Sequence, residues 1–478
     1  MATLKGSPYI TFTFAIAALL VARPFPPSPR LWRTAVASAE AGQGRVIGQR
    51  TSRATVYEGA RLIDGNGGST IEDSAFVVAD GRFTQIGRKS DVRAPAEAAH
   101  VDLSGKTVMP AFVDAHAHLG YRKGTTFSAD NFTRENILNQ LNQLAYWGVS
   151  GVLSTGTDIG DLIFQIRNAS NAPNGTGTLV RTAWRGIAPP DAGPFPPMRA
   201  APFGVTSEAE ARADVRELAA RKVDFVKIWV DDRNGALPKL SPAIYRAIID
   251  EAHKNNLRVI AHVVTLADVK DLLRTNIDGF AHLFRDHEAD SEVLALLKTR
   301  PDVFFMLTLW APRLAASTER PSWLDDLVLR ETASAEQVRQ FGEPFANRTA
   351  QSVAGAREEW NVLQKNVAAL GQAGVKLVLG TDVGGNTGGP LLGWTEHIEL
   401  ENMVAAGMTP SAAIAAATRG SADALRLTEL GTIAAGKRAD FIVVDGNPLA
   451  DITNSRKIRT VYQRGVELDR AALRATWR

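Results

Sequence analysis

Two hydrophobic patterns alternate along the chain, and each predicts a different kind of element. In residues 54–109, short apolar runs are separated by Gly, Asp and Asn, a pattern typical of β-strands joined by tight turns. The same pattern returns in residues 431–468, in GTIAAGKRADFIVVDG and RTVYQRGVEL. Because these two segments flank a longer central region, we predict one small β-sandwich domain built from both ends of the chain.

The central region, residues 110–430, alternates short apolar strands with helical segments. Helix starts are signalled by Ser207 with Glu210 three residues later, which predicts a capping box, and by Ser241 followed by Pro242. The candidate strands are AFVDAH, GVLSTG, LVRTAWRG, FVKIWV, RVIAHV, GFAHLF, VFFMLTL and KLVLGTD. Eight strand–helix alternations predict an α/β fold, a parallel (β/α)8 or TIM barrel.

Two long insertions interrupt this alternation. One is the Pro/Gly-rich segment IAPPDAGPFPPMRAAPFG after the third strand. The other, about 60 residues long, separates the seventh strand from the eighth. Insertions of this length in a compact domain commonly form lids and substrate-binding walls.

Composition supports a large folded protein. The chain has 478 residues, of which 45% are hydrophobic and 22% charged. Its net charge is +3, but residues 1–39 hold four basic residues and no acidic one, so the rest is close to neutral. The lack of a basic stripe disfavours a nucleic-acid partner, and the lack of Cys excludes disulfides and thiolate metal sites.

Residues 1–39 resemble an export leader. Lys5 precedes an apolar stretch from Ile10 to Ala22, and Ala37-Ser38-Ala39 offers a small-residue cleavage pattern. We therefore predict a periplasmic or secreted protein with no stable membrane span after the leader is removed. A mis-chosen start codon, which would leave the protein cytoplasmic, and an uncleaved tether are the alternatives.

Ionisable residues stand where the candidate strands of the central region end. His116 and His118 close the first strand and, being two residues apart, point to the same side. In a parallel barrel the carboxyl ends of the strands meet at one mouth, where catalytic groups lie. Across five strands the set comprises His116, His118, Lys227, His262, His282 and Asp382.

Each of these residues has an ordinary structural explanation when taken alone. A His in an apolar strand is more often a hydrogen-bonded core residue than a ligand, and Asp382 could cap a turn. Six ionisable residues at one end of five strands favour a metal site instead. We expect His100, His253 and His397 to be structural, and Asp114 to support the imidazoles of the first strand.

Lys227 needs a reason to stand in an apolar strand among metal ligands. A protonated amine would repel divalent cations, and burying it is unfavourable. Reaction of the amine with CO₂ gives an anionic carbamate whose two oxygens can bridge two metal ions. Together with Asp382 and a bridging hydroxide, the carbamate would leave two divalent ions with a small positive charge that favours a developing oxyanion.

The joint motif set, PAFVDAHAHLG, FVKI, VIAHV, GFAHLF, LGTDVG and the closing GTIAAGKRADFIVVDGNPL, resembles the amidohydrolase superfamily. It is most similar to the imidazolonepropionase-like and Xaa-Pro dipeptidase-like branch. The resemblance implies that His116, His118 and Asp382 hold a more buried metal ion. It further implies that His262 and His282 hold a more exposed one, with Lys227 as the bridging carbamate.

The function that follows is a binuclear metal-dependent hydrolase of a carbon–nitrogen bond in a small molecule: an amide, peptide, carbamate or urea. Attack by a metal-bridging hydroxide would be assisted by Asp382 as the proton carrier. Zn²⁺ is the favoured metal, with Mn²⁺, Fe²⁺ and Co²⁺ as alternatives, and a homo-oligomer is compatible with the sequence. The residues expected to contact substrate are Tyr121, Arg185, Trp229, Trp310 and His287.

Two other functions compete with this one. A mononuclear deaminase or cyclic amidohydrolase of the same superfamily would typically lack Lys227 and carry a Glu after the fifth strand, where this chain reads VVTLADV. A non-catalytic scaffold would be expected to have lost ligands, whereas all six are present here. Both readings are therefore less favoured than the binuclear hydrolase.

Overall fold

The computed structural model describes residues 54–385 and 391–477, so the predicted leader lies outside the described residues. The strands in chain order are β1 (Thr55–Leu62), β2 (Ile71–Ala79), β3 (Arg82–Arg88), β4 (Ala99–Asp102), β5 (Lys106–Pro110), β6 (Phe112–Ala117), β7 (Arg122–Lys123), β8 (Thr126–Phe127), β9 (Val149–Ser154), β10 (Leu179–Thr182), β11 (Ile187–Ala188), β12 (Phe203–Gly204), β13 (Phe225–Trp229), β14 (Arg258–His262), β15 (Gly279–Ala281), β16 (Phe304–Leu307), β17 (Lys376–Leu379), β18 (Phe441–Asp445), β19 (Ile458–Gln463) and β20 (Val466–Glu467).

Helices follow most of the central strands. They are α1 (Arg134–Tyr146), α2 (Leu162–Ser170), α3 (Glu208–Ala220), α4 (Pro242–Lys254), α5 (Leu266–Arg274), α6 (Ser291–Lys298), α7 (Trp310–Ala316), α8 (Ala335–Gly342), α9 (Ala354–Gln372), α10 (Trp394–Ala405), α11 (Pro410–Ala415), α12 (Ser421–Ala424) and α13 (Arg470–Ala475). In the described residues, no helix combines the length and the apolar character needed to cross a bilayer.

Strands from both ends of the chain share one eight-stranded sheet. Its order is β20-β19-β18-β5-β1-β2-β3, with β4 paired to β1. β5 joins the two halves, because it runs parallel to β1 and antiparallel to β18. Aromatic rings fill its core: Tyr57 stacks on Phe76 and Phe441 on Tyr462, with ring centroids 4.9 and 4.4 Å apart. Since the eight strands form a single sheet, the pairing does not confirm the second sheet of the predicted sandwich.

Each of the eight strands predicted for the central region has a counterpart, and all of them pair in parallel. One sheet has the order β10-β9-β6 and the other the order β12-β11-β13-β14-β15-β16-β17. Main-chain contacts link the two sheets: Ala117 pairs with Val383, and Asp224 N, just before β13, donates to Thr182 O at 2.8 Å. The fold is therefore mixed α/β with a parallel centre, while a closed eight-stranded barrel is not confirmed by the ladders.

Two strands are shorter than their apolar patterns predict, and both stop where the backbone turns left-handed. β10 ends at Thr182, whose hydroxyl accepts from Trp184 N at 2.7 Å, and Trp184 has φ 49°. β17 ends at Leu379, and Asp382 has φ 57°. A left-handed residue interrupts the extended backbone of a strand, so beyond these two strands the pairing is reduced to single contacts such as Ala117 with Val383.

The helix starts follow the sequence signals with one correction. Ser241 caps α4 by accepting from Ile244 N, with Pro242 in the first turn. Ser207 caps α3 in the same way, but the carboxylate of Glu210 accepts from the N–H and hydroxyl of Thr206. The predicted capping box is therefore wrong in its second half, because the Glu side chain reaches one residue further back than the cap.

The two insertions fold differently. Residues 189–205, called the Pro/Gly loop below, contain only a short 3-10 turn, Met198–Ala200, and the short strand β12. The insertion between β16 and β17 carries α7, α8 and α9, and its apolar residues form a separate cluster with the start of α10 and the C-terminal helix. Leu324 and Val338 from the insertion join Trp394 and Leu473 in this cluster.

Candidate metal centre

The HxH pair is held mainly by its backbone. His116 and His118 lie on or directly after β6, and both side chains are buried. Asp114 accepts from His116 N at 2.9 Å and from Thr381 N at 3.1 Å, which ties β6 to the end of β17. We expected Asp114 to support the imidazoles. It supports the main chain that carries them, because it lies two residues deeper on the same strand face.

Asp382 reaches the HxH pair from the turn after β17. Its backbone N–H donates to His116 O at 2.6 Å, and its Oδ1 lies 3.0 Å from His118 Nε2 and 3.4 Å from His116 Nε2. Burial alone would raise the pKa of Asp382, but His116 and His118 beside the carboxylate hold it well below its usual range. The carboxylate is therefore anionic at neutral pH.

His282 lies between the other imidazoles. Its ring centroid is 4.8 Å from that of His116 and 4.7 Å from that of His262. Its backbone φ is 88°, a conformation that a non-glycine residue adopts at the expense of strain and that recurs at functional sites. His116, His282 and Asp382 each offer one ligand atom, and these atoms lie within 4.8 Å of one another.

Hydrogen bonds occupy one ring nitrogen each of His118, His282 and His262. Nδ1 of His118 lies 2.8 Å from Thr157 Oγ1, and Nδ1 of His282 lies 3.1 Å from Thr308 Oγ1. His262 differs, since its Nε2 lies 3.3 Å from Asp231 Oδ2. Thus Nε2 of His118 faces Asp382 Oδ1, while Nε2 of His282 and Nδ1 of His262 are the nitrogens left for another partner.

Lys227 is buried at the centre of β13, with a side chain 1% exposed. Its Nζ lies 5.1 Å from the ring centroid of Trp229. Burial lowers the pKa of its amine to about 7, against the opposing charge of Asp382. Close packing fixes the alkyl chain, because a Cβ on Gly156 would lie 2.7 Å from Lys227 Cγ. A neutral amine near pH 7 is the form that reacts with CO₂.

The donor set fits a divalent metal. Among the described residues, both ring nitrogens of His116 are buried without a hydrogen-bond partner, which is unfavourable unless another group binds them. Burial lowers the pKa of His116 and His282 well below the ordinary value and that of His262 to about 4, so these imidazoles are neutral at pH 7. Neutral imidazoles beside an anionic carboxylate are metal ligands in their binding form.

Three residues expected to contact substrate make hydrogen bonds that hold the loops around the site. Tyr121 is fully buried and its hydroxyl donates to Thr157 O at 2.6 Å, while Trp310 Nε1 donates to Thr381 O at 2.5 Å. These bonds hold the turns next to His118 and Asp382. The guanidinium of Arg185 donates to Ala201 O at 2.6 Å and so anchors the Pro/Gly loop.

The remaining two expected contacts are placed differently from each other. Trp229 is buried beside Lys227, and its ring fills space left by Gly156, Gly186 and Gly193, where a Cβ would approach within 3.5 Å of it. His287 has a side chain 75% exposed, with Nδ1 2.9 Å from Asp286. The structure therefore brings Trp229 to the site but does not bring His287 into the imidazole cluster.

Sequence reasoning missed Asp231 as the partner of His262. The register supplies the reason: Trp229 pairs with His262 in the ladder of β13 and β14, so a side chain just beyond Trp229 can reach the imidazole. The WVDDR segment after the strand was the available signal.

The site and the parallel strands that carry it define a metal-dependent hydrolase of carbon–nitrogen bonds. Residues 107–468 match the family model described as the amidohydrolase family, and the chain belongs to that family. Members of the family are metal-dependent.

Known proteins similar to this chain differ in what they act on. The enamidase of Eubacterium barkeri is 24% identical over 388 residues, which cover 80% of this chain and 83% of the relative. The 5-methylthioadenosine/S-adenosylhomocysteine deaminase of Halalkalibacterium halodurans is 24% identical, covering 82% and 85%. A crystal structure of a Xaa-Pro dipeptidase with bound methionine superposes with a TM-score of 0.67 at 20% identity, covering 87% of this chain and 99% of that one. The similarity to this dipeptidase concerns the fold alone.

Proposed function

We propose that this protein is a binuclear metal-dependent hydrolase that cleaves an amide-type carbon–nitrogen bond in a small molecule. The observation that carries the proposal is the convergence of three neutral imidazoles, anionic Asp382 and a buried lysine whose amine has a pKa of about 7. A cluster with only a structural role would not need a buried lysine whose amine is partly deprotonated at neutral pH.

The residues divide into two sets of ligands. His116, His118 and Asp382 would hold one ion, and His262 and His282 the other. Lys227, as its carbamate, would bridge the two. The contacts of Asp382 Oδ1 with Nε2 of His116 and His118, and the 4.7 Å between the ring centroids of His262 and His282, support this division. When bound, two Zn²⁺ ions supply Lewis acidity and lower the pKa of water.

Asp382 is the residue best suited to move the proton. Its carboxylate is anionic and belongs to the turn that closes the site beside the HxH pair. It can accept the proton that the attacking water loses and donate it to the nitrogen as the C–N bond breaks. The products are then a carboxylate, or the corresponding acid fragment, and a free amine.

The supporting frame is proposed to be a closed (β/α)8 barrel. The contacts Ala117 with Val383 and Asp224 with Thr182 support closure, since the first joins the ends of β6 and β17 and the second joins β10 to the residue before β13. A crystal structure with continuous ladders across both edges would establish it, and a wide gap between β6 and β17 would refute it. Export also remains a proposal, to be checked by the N-terminal sequence of secreted protein.

The test of function combines metal analysis with a substrate screen. Protein reconstituted with Zn²⁺ and bicarbonate is expected to bind two ions per chain, and His282→Asn fewer. His253→Asn is the matched control, since His253 is bonded to Asp278 away from the cluster. N-acyl amino acids, dipeptides, aryl amides and carbamates are then screened for amine release. A finding of at most one ion in active protein would contradict the binuclear proposal.

A mononuclear deaminase is the second candidate, favoured by the similarity to a known deaminase. The two candidates differ in product and in their need for Lys227. A deaminase would release ammonia from a cyclic amidine, hold one ion and keep activity in Lys227→Ala. The binuclear hydrolase would lose activity in that variant and release an amine from an amide.

A further inference from the structure

The Pro/Gly loop is anchored at its second half by Arg185. Its guanidinium donates to Ala201 O at 2.6 Å and to Pro202 O at 3.2 Å, and it lies 3.9 Å from the ring centroid of Phe203. These are contacts with the loop alone. Arg185 therefore holds the loop without touching any residue of the imidazole cluster in these bonds.

Arg233 anchors the first half of the same loop. Its Nη2 donates to Gly193 O at 3.3 Å, and its Cζ lies 4.0 Å from the ring centroid of Phe195. Gly193 has φ 84°, and a Cβ there would lie 2.9 Å from Ala188 and 3.5 Å from Trp229. The loop thus packs closely against the strand end that carries Trp229 and Lys227.

Arg233 also reaches the candidate metal ligand His262 through one carboxylate. Its Nε lies 3.1 Å from Asp231 Oδ2, and the same oxygen lies 3.3 Å from His262 Nε2. Arg233 N donates to the other oxygen, Asp231 Oδ1, at 3.0 Å. Asp231 has a side chain only 9% exposed, so both oxygens are held by this short network.

We propose that Asp231 and Arg233 are positioning residues that couple the Pro/Gly loop to His262. With the loop closed, Arg233 fixes Asp231 on Nε2 of His262, which orients the ring and leaves Nδ1 for the metal ion. This inference rests on the metal site of the proposed function. Because coupling free energies are reciprocal, metal bound at His262 also stabilises the closed loop.

Arg185 supplies the matched control. The side chains of Arg185 and Arg233 both anchor the same loop through carbonyl bonds and an aromatic face, but of these two side chains only that of Arg233 also bonds to Asp231, the partner of a candidate ligand. The backbone pairing of Arg185 with Thr157 is kept in Arg185→Met. A purely structural role for Arg233 predicts that Arg233→Met and Arg185→Met behave alike. The coupling predicts that they open the loop alike without metal but differ in metal retention and in the protection of the loop by zinc.

The experiment measures two quantities on Zn²⁺-loaded full-length protein without substrate. One is the rate of zinc release to a colorimetric chelator, and the other is tryptic cleavage after Arg199 within the loop, identified by mass spectrometry. In Arg233→Met, release of the faster-leaving ion is expected to rise about 10–100-fold, the usual effect of losing a group that orients a metal-ligating His. In Arg185→Met it should stay within about 3-fold of the wild type.

Loop cleavage provides the reciprocal test. Zinc should slow cleavage after Arg199 in the wild type and in Arg185→Met, and this protection should be lost in Arg233→Met and Asp231→Asn. Arg233→Lys should retain zinc better than Arg233→Met does, since an ammonium can still pair with Asp231. This variant also provides the test if Arg233→Met does not fold. Equal zinc release from the Arg233 and Arg185 variants would overturn the coupling.

The possible outcomes distinguish a failure of the coupling from a failure of the proposed metal site. Protein that binds no zinc would refute both the metal site and the coupling. Protein that binds zinc but shows no dependence on Arg233 would refute the coupling alone. A failed substrate screen changes neither measurement, because zinc release and cleavage are recorded without substrate.

Discussion

The two pairs of histidines in the site are held in different ways. The deep pair, His116 and His118, lies at the end of β6, and Thr381 and Asp382 donate from their backbone to His116 O at 3.2 and 2.6 Å. The loop-side His262 is oriented by a side chain, Asp231. Main-chain bonds between strand ends cannot release without opening the sheet, whereas a side chain can turn away.

This difference suggests that the two pairs of ligands hold their ions with different firmness, a division between a deep and a loop-side ion. In the deep pair, both ring nitrogens of His116 are buried without a hydrogen-bond partner among the described residues, in a rigid frame that suits an ion that stays bound. In the loop-side pair, His262 and His282, His262 depends on Asp231, which Arg233 joins to the Pro/Gly loop, and this suits an ion whose binding changes with the loop. Substitutions of single residues in each pair test that division, and Asp382 belongs both to the deep pair's surroundings and to the proposed reaction.

Asp382→Asn is expected to have the largest effect on activity. The variant loses an anionic ligand and the proposed proton carrier, and kcat should fall about 10⁴-fold, at the upper end for a positioned acid–base group. Steady-state kinetics on a substrate from the screen measures it. Asp423→Asn, at an exposed position on α12, is the control and should keep wild-type kcat. A fully active Asp382→Asn would exclude the proposed proton path.

Lys227→Ala is expected to reduce kcat about 10²–10³-fold, comparable with losing one electrostatic group of an active site. The variant removes the bridge between the deep and loop-side pairs, and its small side chain leaves room for an added carboxylate. Acetate or propionate should therefore recover part of the activity. Lys376→Ala removes an exposed Lys paired with Asp302 and should change nothing. Activity of Lys227→Ala equal to the wild type would refute the carbamate bridge.

His262→Asn and His116→Asn should differ in metal content. His262→Asn is expected to lower the affinity for one ion about 10–100-fold and leave the other ion bound. His116→Asn should instead lower the retention of the tightly held ion. Zinc content after dialysis against graded chelator concentrations distinguishes the two. If both variants lose the same ion to the same extent, the deep and loop-side pairs do not act as separate sites.

Asp158→Asn tests the frame beside the deep pair through pH. Asp158 accepts from Ser154 and Thr182 at 2.6 and 2.5 Å, and burial raises its pKa from 3.8 to about 7. Between those values the folded protein keeps a proton that the unfolded chain has released. The contribution to stability is therefore complete below pH 4 and is lost as pH rises to 7, by about 1.4 kcal/mol per unit.

Denaturant unfolding of wild type and Asp158→Asn at several pH values measures this effect. The difference in unfolding free energy between the two proteins should change with pH in favour of the variant as pH rises from 4 to 7. The exposed Asp423→Asn serves again as the control and should keep the slope of the wild type. Parallel curves for wild type and Asp158→Asn would show that Asp158 is ionised in the folded state.

Many of the strands were predictable because they follow the local pattern of apolar and polar residues. The period of two along a strand put both side chains of the HxH pair on one face, and apolar runs located all eight central strands. The ends of these strands were less predictable. Trp184 and Asp382 adopt left-handed backbone conformations that the apolar pattern does not reveal, so β10 and β17 stop early.

The roles of single side chains around the site were the hardest to predict. Tyr121 and Trp310 looked like substrate contacts because they are aromatic residues next to the motifs. In the fold their polar atoms bond to Thr157 O and Thr381 O. Burial and the choice of hydrogen-bond partner depend on which distant segments meet, and a single sequence does not record that.

The sequence by itself determined the order of the elements, the family resemblance that residues 107–468 bear out, and the residues that converge on one site. These follow from periodicity and from the meeting of parallel strand ends, which local chain geometry dictates. Only the tertiary structure decided which nitrogen of each imidazole is free, and that Asp231 joins His262 to Arg233 and the Pro/Gly loop. Such contacts join residues about 30 to 40 positions apart, so they exist only once strands, loop and charges have packed together.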